Sequence, residues 1–191
     1  MPTILKGDKD YPPIGIYCTH NAESYRPTTG VDKEEGKNGA VFLVAQELQK
    51  ELNEYGFTTI LIDTIHDYPD WNKSYANSLA SMQQLKEQYP DMELFIDVHR
   101  DAFSENSDKS ITTTTINGVD VAKIMFVVGT NNRAEHPNWE KNLAFANQIA
   151  DCLKEYYPDL VRQVKVQSGR YNQHIADKAI LVEMGSCLLY T

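Results

Sequence analysis

Ile14-Gly-Ile-Tyr-Cys-Thr-His-Asn-Ala-Glu-Ser-Tyr25 is the stretch on which both fold and chemistry turn. Its first five residues, Ile14 to Cys18, form an apolar run suited to a buried parallel strand. Where that strand should end stand His20 and Glu23, three residues apart. In open α/β sheets, ligands bind in the crevice beyond the carboxyl ends of the strands. An imidazole and a carboxylate in such a loop can turn onto one metal ion. A lone His-x-x-Glu is more often a solvated loop. Here two further strands end on residues of the same chemistry.

Leu94 to Val98 reads as a buried strand that delivers His99-Arg100-Asp101, and Ala179 to Val182 as another that delivers Glu183. Between the first strand and these, Val41, Ala45, Leu48, Leu52 and Tyr55 recur at helical spacing from Gly39 onward, and Gly56 supplies a C-terminal cap. Phe57 to Ile62 is rich in β-branched residues and completes a βαβ unit, for which a right-handed crossover is expected. A second helix is predicted from Trp71 to Tyr89, with Tyr75, Leu79, Met82 and Tyr89 facing inward and Pro90 closing it. Residues 103–120 read as an exposed insertion, and Thr112 to Ile116 followed by Asn117-Gly118 suggests a hairpin within it. Ala122 to Val128 is a fourth strand. Trp139, Leu143, Ala146, Ala150, Leu153 and Tyr157 then make the stripe of a third helix, and Val164 to Val166 a short edge strand. Residues 1–13, with Pro12-Pro13, are a lead-in. The expectation is one catalytic domain over 1–191, a three-layer α/β fold with a mostly parallel twisted sheet and helices on both faces.

Composition bounds the partners. The 191 residues carry 27 acidic and 18 basic side chains, a net charge of −9, and no Lys/Arg block, which argues against nucleic acid. Cys18, Cys152 and Cys187 form neither a metal-type pair nor a disulfide framework. No apolar run approaches the roughly 20 residues needed to span a membrane. The N-terminus lacks the apolar segment of a signal peptide, so any export signal or anchor is expected outside this chain.

Zinc in a hydrolytic site takes three protein ligands from His and carboxylate and leaves one position for water. His20, His99 and Glu23 supply such a set, and the site's remaining positive charge acidifies the water. Glu34 and Glu35, just before the first long helix, are the rivals of Glu23 as third ligand. Glu183, flanked by Leu181, Val182 and Met184, is placed as the carboxylate that accepts the water proton and passes it to the leaving amine. Asp97 shares the strand face of His99 and is expected either to orient it or to pair with a helix N-terminus. Arg100 is a candidate to pin a substrate carboxylate or stabilise an oxyanion, with a salt bridge to Asp101 as the plainer reading. Arg170, Tyr171, Asn172 and Gln173 are candidates to line a substrate groove, and the alternative for Asn172 and Gln173 is to satisfy loop backbone. His66 with Asp67 is a candidate for the rim of the site, with loop surface the plainer reading, and His136 reads as a loop or helix-entry residue.

Several segments carry a family resemblance: Thr19-His20-Asn21-Ala22-Glu23-Ser24-Tyr25, Asn72-Lys-Ser-Tyr-Ala-Asn-Ser-Leu79, Asp97-Val-His-Arg-Asp101, Val128-Gly-Thr-Asn131 with His136-Pro-Asn-Trp139, Arg170-Tyr-Asn-Gln173 and Leu181-Val-Glu-Met-Gly185. In collinear order over nearly the whole chain, they resemble stage II sporulation protein P, which looks like a branch of the zinc-dependent N-acetylmuramoyl-L-alanine amidases. The resemblance implies Zn2+ held by His20 and His99, Glu183 as catalytic carboxylate, and cleavage of the amide joining muramic acid to the stem peptide of peptidoglycan. It also admits endopeptidase action on cross-links. It implies work outside the membrane during forespore engulfment, beside a lytic transglycosylase and membrane proteins of the engulfment machinery. Cys18 departs from the family, which usually has a histidine there, and the chain stops soon after Glu183 where the family continues into a helix. A zinc carboxypeptidase has the same ligand layout, and an inactive cell-wall-binding domain is the rival from another class.

Overall fold

The computed structural model describes residues 11–103 and 108–188. Residues 1–10, 104–107 and 189–191 lie outside them, and with them most of the expected lead-in and part of the expected insertion. In chain order the elements are β1 (Ile14–Tyr17), the one-turn helix α1 (Arg26–Thr29), α2 (Ala40–Glu54), β2 (Thr59–Leu61), a 3-10 turn (Trp71–Lys73) leading into α3 (Ser74–Gln88), and β3 (Leu94–Asp101). A second 3-10 turn (Lys109–Ile111) precedes β4 (Thr113–Ile116), β5 (Val119–Ala122), β6 (Ile124–Gly129), α4 (Trp139–Tyr156), β7 (Val161–Gln167), a third 3-10 turn (Gln173–Ile175) and β8 (Lys178–Ser186).

Six strands make one sheet in the order β2-β1-β3-β8-β6-β7, parallel throughout except where β6 meets β8. The alternation of side chains along each strand sorts residues between two faces. Ile14, Ile16, Cys18, Ile96, Val98, Ile180, Val182, Phe126 and Val128 turn to one face, where they pack on Val41 and Ala45 of α2 and Ala146 and Ala150 of α4. Tyr17, Phe95 and Ala179 turn to the other and pack on Met82 and Leu85 of α3. Each large apolar side chain buried in this way contributes about 1.5–3 kcal/mol. The expected three-layer, mostly parallel architecture is therefore the observed one. β4 and β5 stand apart as an antiparallel ribbon, turning at Asn117 and Gly118 with φ of 52° and 81°, the left-handed pair that a tight two-residue hairpin requires.

Two expectations shift. The strand ending at Val182 runs on through Glu183 to Ser186. The inner face of α3 is Ser74, Ser78, Met82 and Leu85, whereas Tyr89 is 37% exposed. The cause is close approach at the start of α3. There Ser78 Oγ meets Thr19 Oγ1 and Asn172 Nδ2, both at 3.0 Å, which leaves no room for a large side chain. Tyr75 is rotated off this stripe, toward the carboxyl edge of the sheet.

This corrected stripe makes a stability prediction. Met82→Ala should cost about 2–5 kcal/mol in urea unfolding, the range for emptying a buried methionine site. Tyr89→Ala should stay within about 0.5 kcal/mol, as surface substitutions do. Equal losses would contradict the assignment.

Candidate functional site

The loop that follows β1 is held from three sides. Thr19 donates from its backbone N and its Oγ1 to the two carboxylate oxygens of Asp97, at 2.8 and 2.7 Å. The start of α2, like any helix start, offers backbone N–H groups without partners inside the helix. The loop accepts them: Gly39 N donates to Asn21 O (2.7 Å), Ala40 N to Ser24 Oγ (2.9 Å) and Val41 N to Glu23 O (3.1 Å). Gly39 is required for this approach, because a Cβ there would lie 2.3 Å from Glu23 O and 2.6 Å from Ala22 O. The third side is the segment before α3. His66 N donates to Asn21 Oδ1 and Ala22 N to Asp67 Oδ2, both at 2.9 Å. His66 is fully buried, with Nδ1 2.7 Å from Cys18 O and Nε2 3.0 Å from Ser81 Oγ. The surface role expected for it is thus replaced by a structural one, with both ring nitrogens engaged.

The loop brings His20 and Glu23 to the ends of β3 and β8. His99 sits opposite Glu183 in the parallel register of these strands, on the face that carries α3. Its Nε2 lies 3.0 Å from Asp97 Oδ1 and its Nδ1 3.4 Å from Glu23 Oε2. The His20 ring stands 5.3 Å from the His99 ring and nearly perpendicular to it. Glu23, His99 and Asp97 are 7%, 4% and 1% exposed. Burial disfavours charge on His99, but the Asp97 carboxylate, joined by Glu23, outweighs it and raises the imidazole pKa well above its usual range. Burial would also raise the pKa of Glu23, yet His99, Arg100 and His20 hold it below the usual carboxylate value. Burial, with His99 nearby, lowers His20 to about 4. Glu183 is pushed up to about 7 by burial, against the pull of His99. A carboxyl poised there can both take and return a proton near neutral pH.

The other candidates are placed differently. Strand alternation sends Arg100 away from Glu183. Its Nε and Nη2 donate to Ser24 O and Asp32 O at 3.2 and 3.1 Å, and Nη1 lies 3.6 Å from Glu23 Oε1. Its backbone N donates to Glu23 Oε2 at 3.2 Å. Asp101 pairs with Arg162, not with Arg100. Asn172 and Gln173 satisfy backbone: Asn172 Nδ2 donates to Tyr75 O (2.6 Å), Gln173 Nε2 to Val127 O (2.8 Å), and Gln173 Oε1 accepts Gly129 N (2.8 Å). Arg170 Nη1 reaches Glu135 O at 3.4 Å. His136 is buried at the entry to α4, with Nε2 3.2 Å from Asn142 Nδ2. Glu34 Oε1 accepts from Ser24 Oγ at 3.3 Å, and Glu35 is exposed beside Asp67 and Tyr68. Two aromatic residues line the site, Tyr75 from one of the quoted motifs and Trp71 from just before it. Trp71 lies flat on His20 at 4.0 Å, and Tyr75 meets the same ring edge-on at 5.5 Å.

Among the described residues no three His, Cys, Asp or Glu side chains close on one point as a finished metal cage. The donor chemistry nevertheless fits zinc. Neighbouring ligand atoms on tetrahedral zinc are about 3.3 Å apart, given bonds of roughly 2.0–2.1 Å. The 3.4 Å between His99 Nδ1 and Glu23 Oε2 matches that spacing. Asp97 engages the opposite nitrogen of His99, as a carboxylate behind a metal-binding imidazole does. His20 Nδ1, Glu183 Oε2 and, despite the nearby Asp97 carboxylate, His99 Nε2 are buried without a well-formed hydrogen bond, a rare and costly condition for polar atoms.

Comparison with known proteins places the chain in a family. The family model for stage II sporulation protein P (SpoIIP) matches residues 3–188. Stage II sporulation protein P of Bacillus subtilis (strain 168) is 29% identical over 199 residues, which cover 96% of this chain and 47% of that protein. The chain therefore spans about half the length of that relative. Among solved structures, the CwlD amidase of Clostridioides difficile, in complex with the GerS lipoprotein, superposes with a TM-score of 0.58 at 14% identity, covering 93% of this chain and 83% of that one. The catalytic domain of CwlV, the N-acetylmuramoyl-L-alanine amidase of Bacillus (Paenibacillus) polymyxa var. colistinus, gives 0.52 at 14% identity over 93% and 82%. These two share the fold. With the family model matched from near its first residue to near its last, this chain belongs to the stage II sporulation protein P family.

Proposed function

We propose that the chain is a zinc-dependent peptidoglycan hydrolase that cuts the amide between N-acetylmuramic acid and the first alanine of the stem peptide. The observation that carries this reading is the meeting of His20, Glu23, His99 and Glu183 at the carboxyl edge of one sheet, with His99 Nδ1 and Glu23 Oε2 at the spacing of zinc ligands. Family membership and the amidase fold support the choice of substrate. A stem-peptide cross-link is also a secondary amide, so endopeptidase action falls within the same chemistry.

His20, Glu23 and His99 would hold the metal. Zinc bound there would supply Lewis acidity toward the scissile carbonyl and the attacking water. The residues do the rest. The Asp97 carboxylate, 3.0 Å from Nε2, would steady the His99 ring with Nδ1 turned toward Glu23. Arg100 holds the Glu23 carboxylate through its backbone N and guanidinium, which makes it a positioning residue. Glu183, whose burial raises its pKa above the usual carboxylate value, would accept a proton from water at a carboxylate oxygen and return it to the leaving nitrogen. A carboxypeptidase needs an arginine for the free C-terminal carboxylate. Arg100 is committed to Ser24 O and Asp32 O and is not available for it. Family membership supports action at the cell wall outside the membrane, and a lytic transglycosylase and membrane proteins of engulfment as partners. Among the described residues no helix is long and apolar enough to cross a membrane.

Two experiments test this. Glu23→Ala should lose zinc by elemental analysis, whereas Glu34→Ala/Glu35→Ala should keep about the one metal expected of a single three-ligand site. The reverse pattern would move the third ligand to the start of α2. Glu183→Gln should keep its zinc while kcat falls roughly 10²-fold or more, as when a general base is removed. Zinc loss in that variant would make Glu183 a ligand instead.

A further inference from the structure

His20 and His99 are oriented by different means. The Asp97 carboxylate stands 3.0 Å from His99 Nε2, whereas among the described residues neither ring nitrogen of His20 has a hydrogen-bond partner. The outer torsion of a histidine is broad, so something must fix the plane of the ring if it is to serve as a ligand. At His20 that something is aromatic. The Trp71 ring lies parallel to the imidazole, 4.0 Å away with 5° between the planes. Tyr75 at 5.5 Å and 87° walls the ring edge-on.

Trp71 is itself anchored. It opens the 3-10 turn before α3, where Asp70 caps by accepting Asn72 N at 3.0 Å, and its carbonyl accepts Ser74 Oγ at 2.5 Å. Lys33 places its ammonium 3.3 Å from the centre of the Trp71 ring, a cation–π contact. Lys33 is also bridged to Glu23 through the backbone. The indole therefore joins the segment that carries Glu23 to the segment that begins α3, with His20 stacked on it.

We propose that Trp71 is a positioning residue that sets the plane of His20 for metal binding, in place of the hydrogen bond that usually does so. The proposal rests on His20 being a zinc ligand. Its test is the zinc affinity of the metal-free protein, measured by competition with a chromophoric chelator, for wild type, Trp71→Leu, Trp71→Phe and His20→Ala. Urea midpoints taken in parallel report the fold. Trp71→Leu keeps an apolar side chain but removes the flat ring. It should bind zinc about 10–100-fold more weakly, the usual cost of losing a group that orients a ligand. Trp71→Phe restores a flat ring and should recover most of the affinity. Wild-type affinity in Trp71→Leu, with zinc lost in His20→Ala, would overturn the proposal and leave the ligand assignment standing. Wild-type affinity in His20→Ala would overturn the ligand assignment, and the proposal with it. Equal zinc loss in the Leu and Phe variants, tracking a fall in urea midpoint, would overturn it in favour of a packing role.

Discussion

A carboxylate buried as deeply as Glu23 has to be met by charge and hydrogen bonds, because an unpaired buried charge costs several kcal/mol. His99 and Arg100, adjacent on β3 and directed to opposite sides of the strand, both reach it. Asp97 in turn meets His99 and ties Thr19 to the same strand. This chain of charges brings the ends of β1 and β3 together. If Glu23 or Arg100 were removed, its partner would be left with buried charge, and the loop carrying His20 would lose its fixed point.

The backbone supports the same geometry. The first amides of α2 need acceptors, and the loop needs something to hold its carbonyls in place. Each supplies the other's requirement at Asn21, Glu23 and Ser24. Tyr25 completes the closure by donating from its hydroxyl to Met184 O at 2.9 Å, beside Glu183. The candidate site is therefore built mostly from helix-end and strand-end groups that had to be satisfied in any case. Donor atoms left unpartnered, such as His20 Nδ1 and Glu183 Oε2, stand out against that background.

Much of this was legible in the sequence, for physical reasons. Buried parallel strands are continuous apolar runs, so the positions of β1, β3 and β8 could be read directly, and with them the residues they deliver to one edge. The helices were legible from period and from Gly56. The direction of Arg100 follows from strand alternation once His99 is given to the site, but its acceptors, Ser24 O and Asp32 O, are remote in sequence and were not legible. His66 looked like surface because a polar residue between a strand and a helix usually is; its burial depends on Asn21, Cys18 and Ser81, which are remote in sequence. The inner face of α3 was misread because large residues were assumed to point inward, whereas close packing near Thr19 admits only serines. The Trp71 stack leaves no periodic trace.

The central claim is which bond is cut, and mass spectrometry of the products of purified peptidoglycan tests it most directly. Digestion by the zinc-loaded chain should release stem peptides with a free alanine amino terminus and leave glycan strands that carry free lactyl carboxylates. Stem peptides that stay on the glycan and lose only a C-terminal residue would contradict the account, as would sacculi left intact by a protein shown to hold its metal.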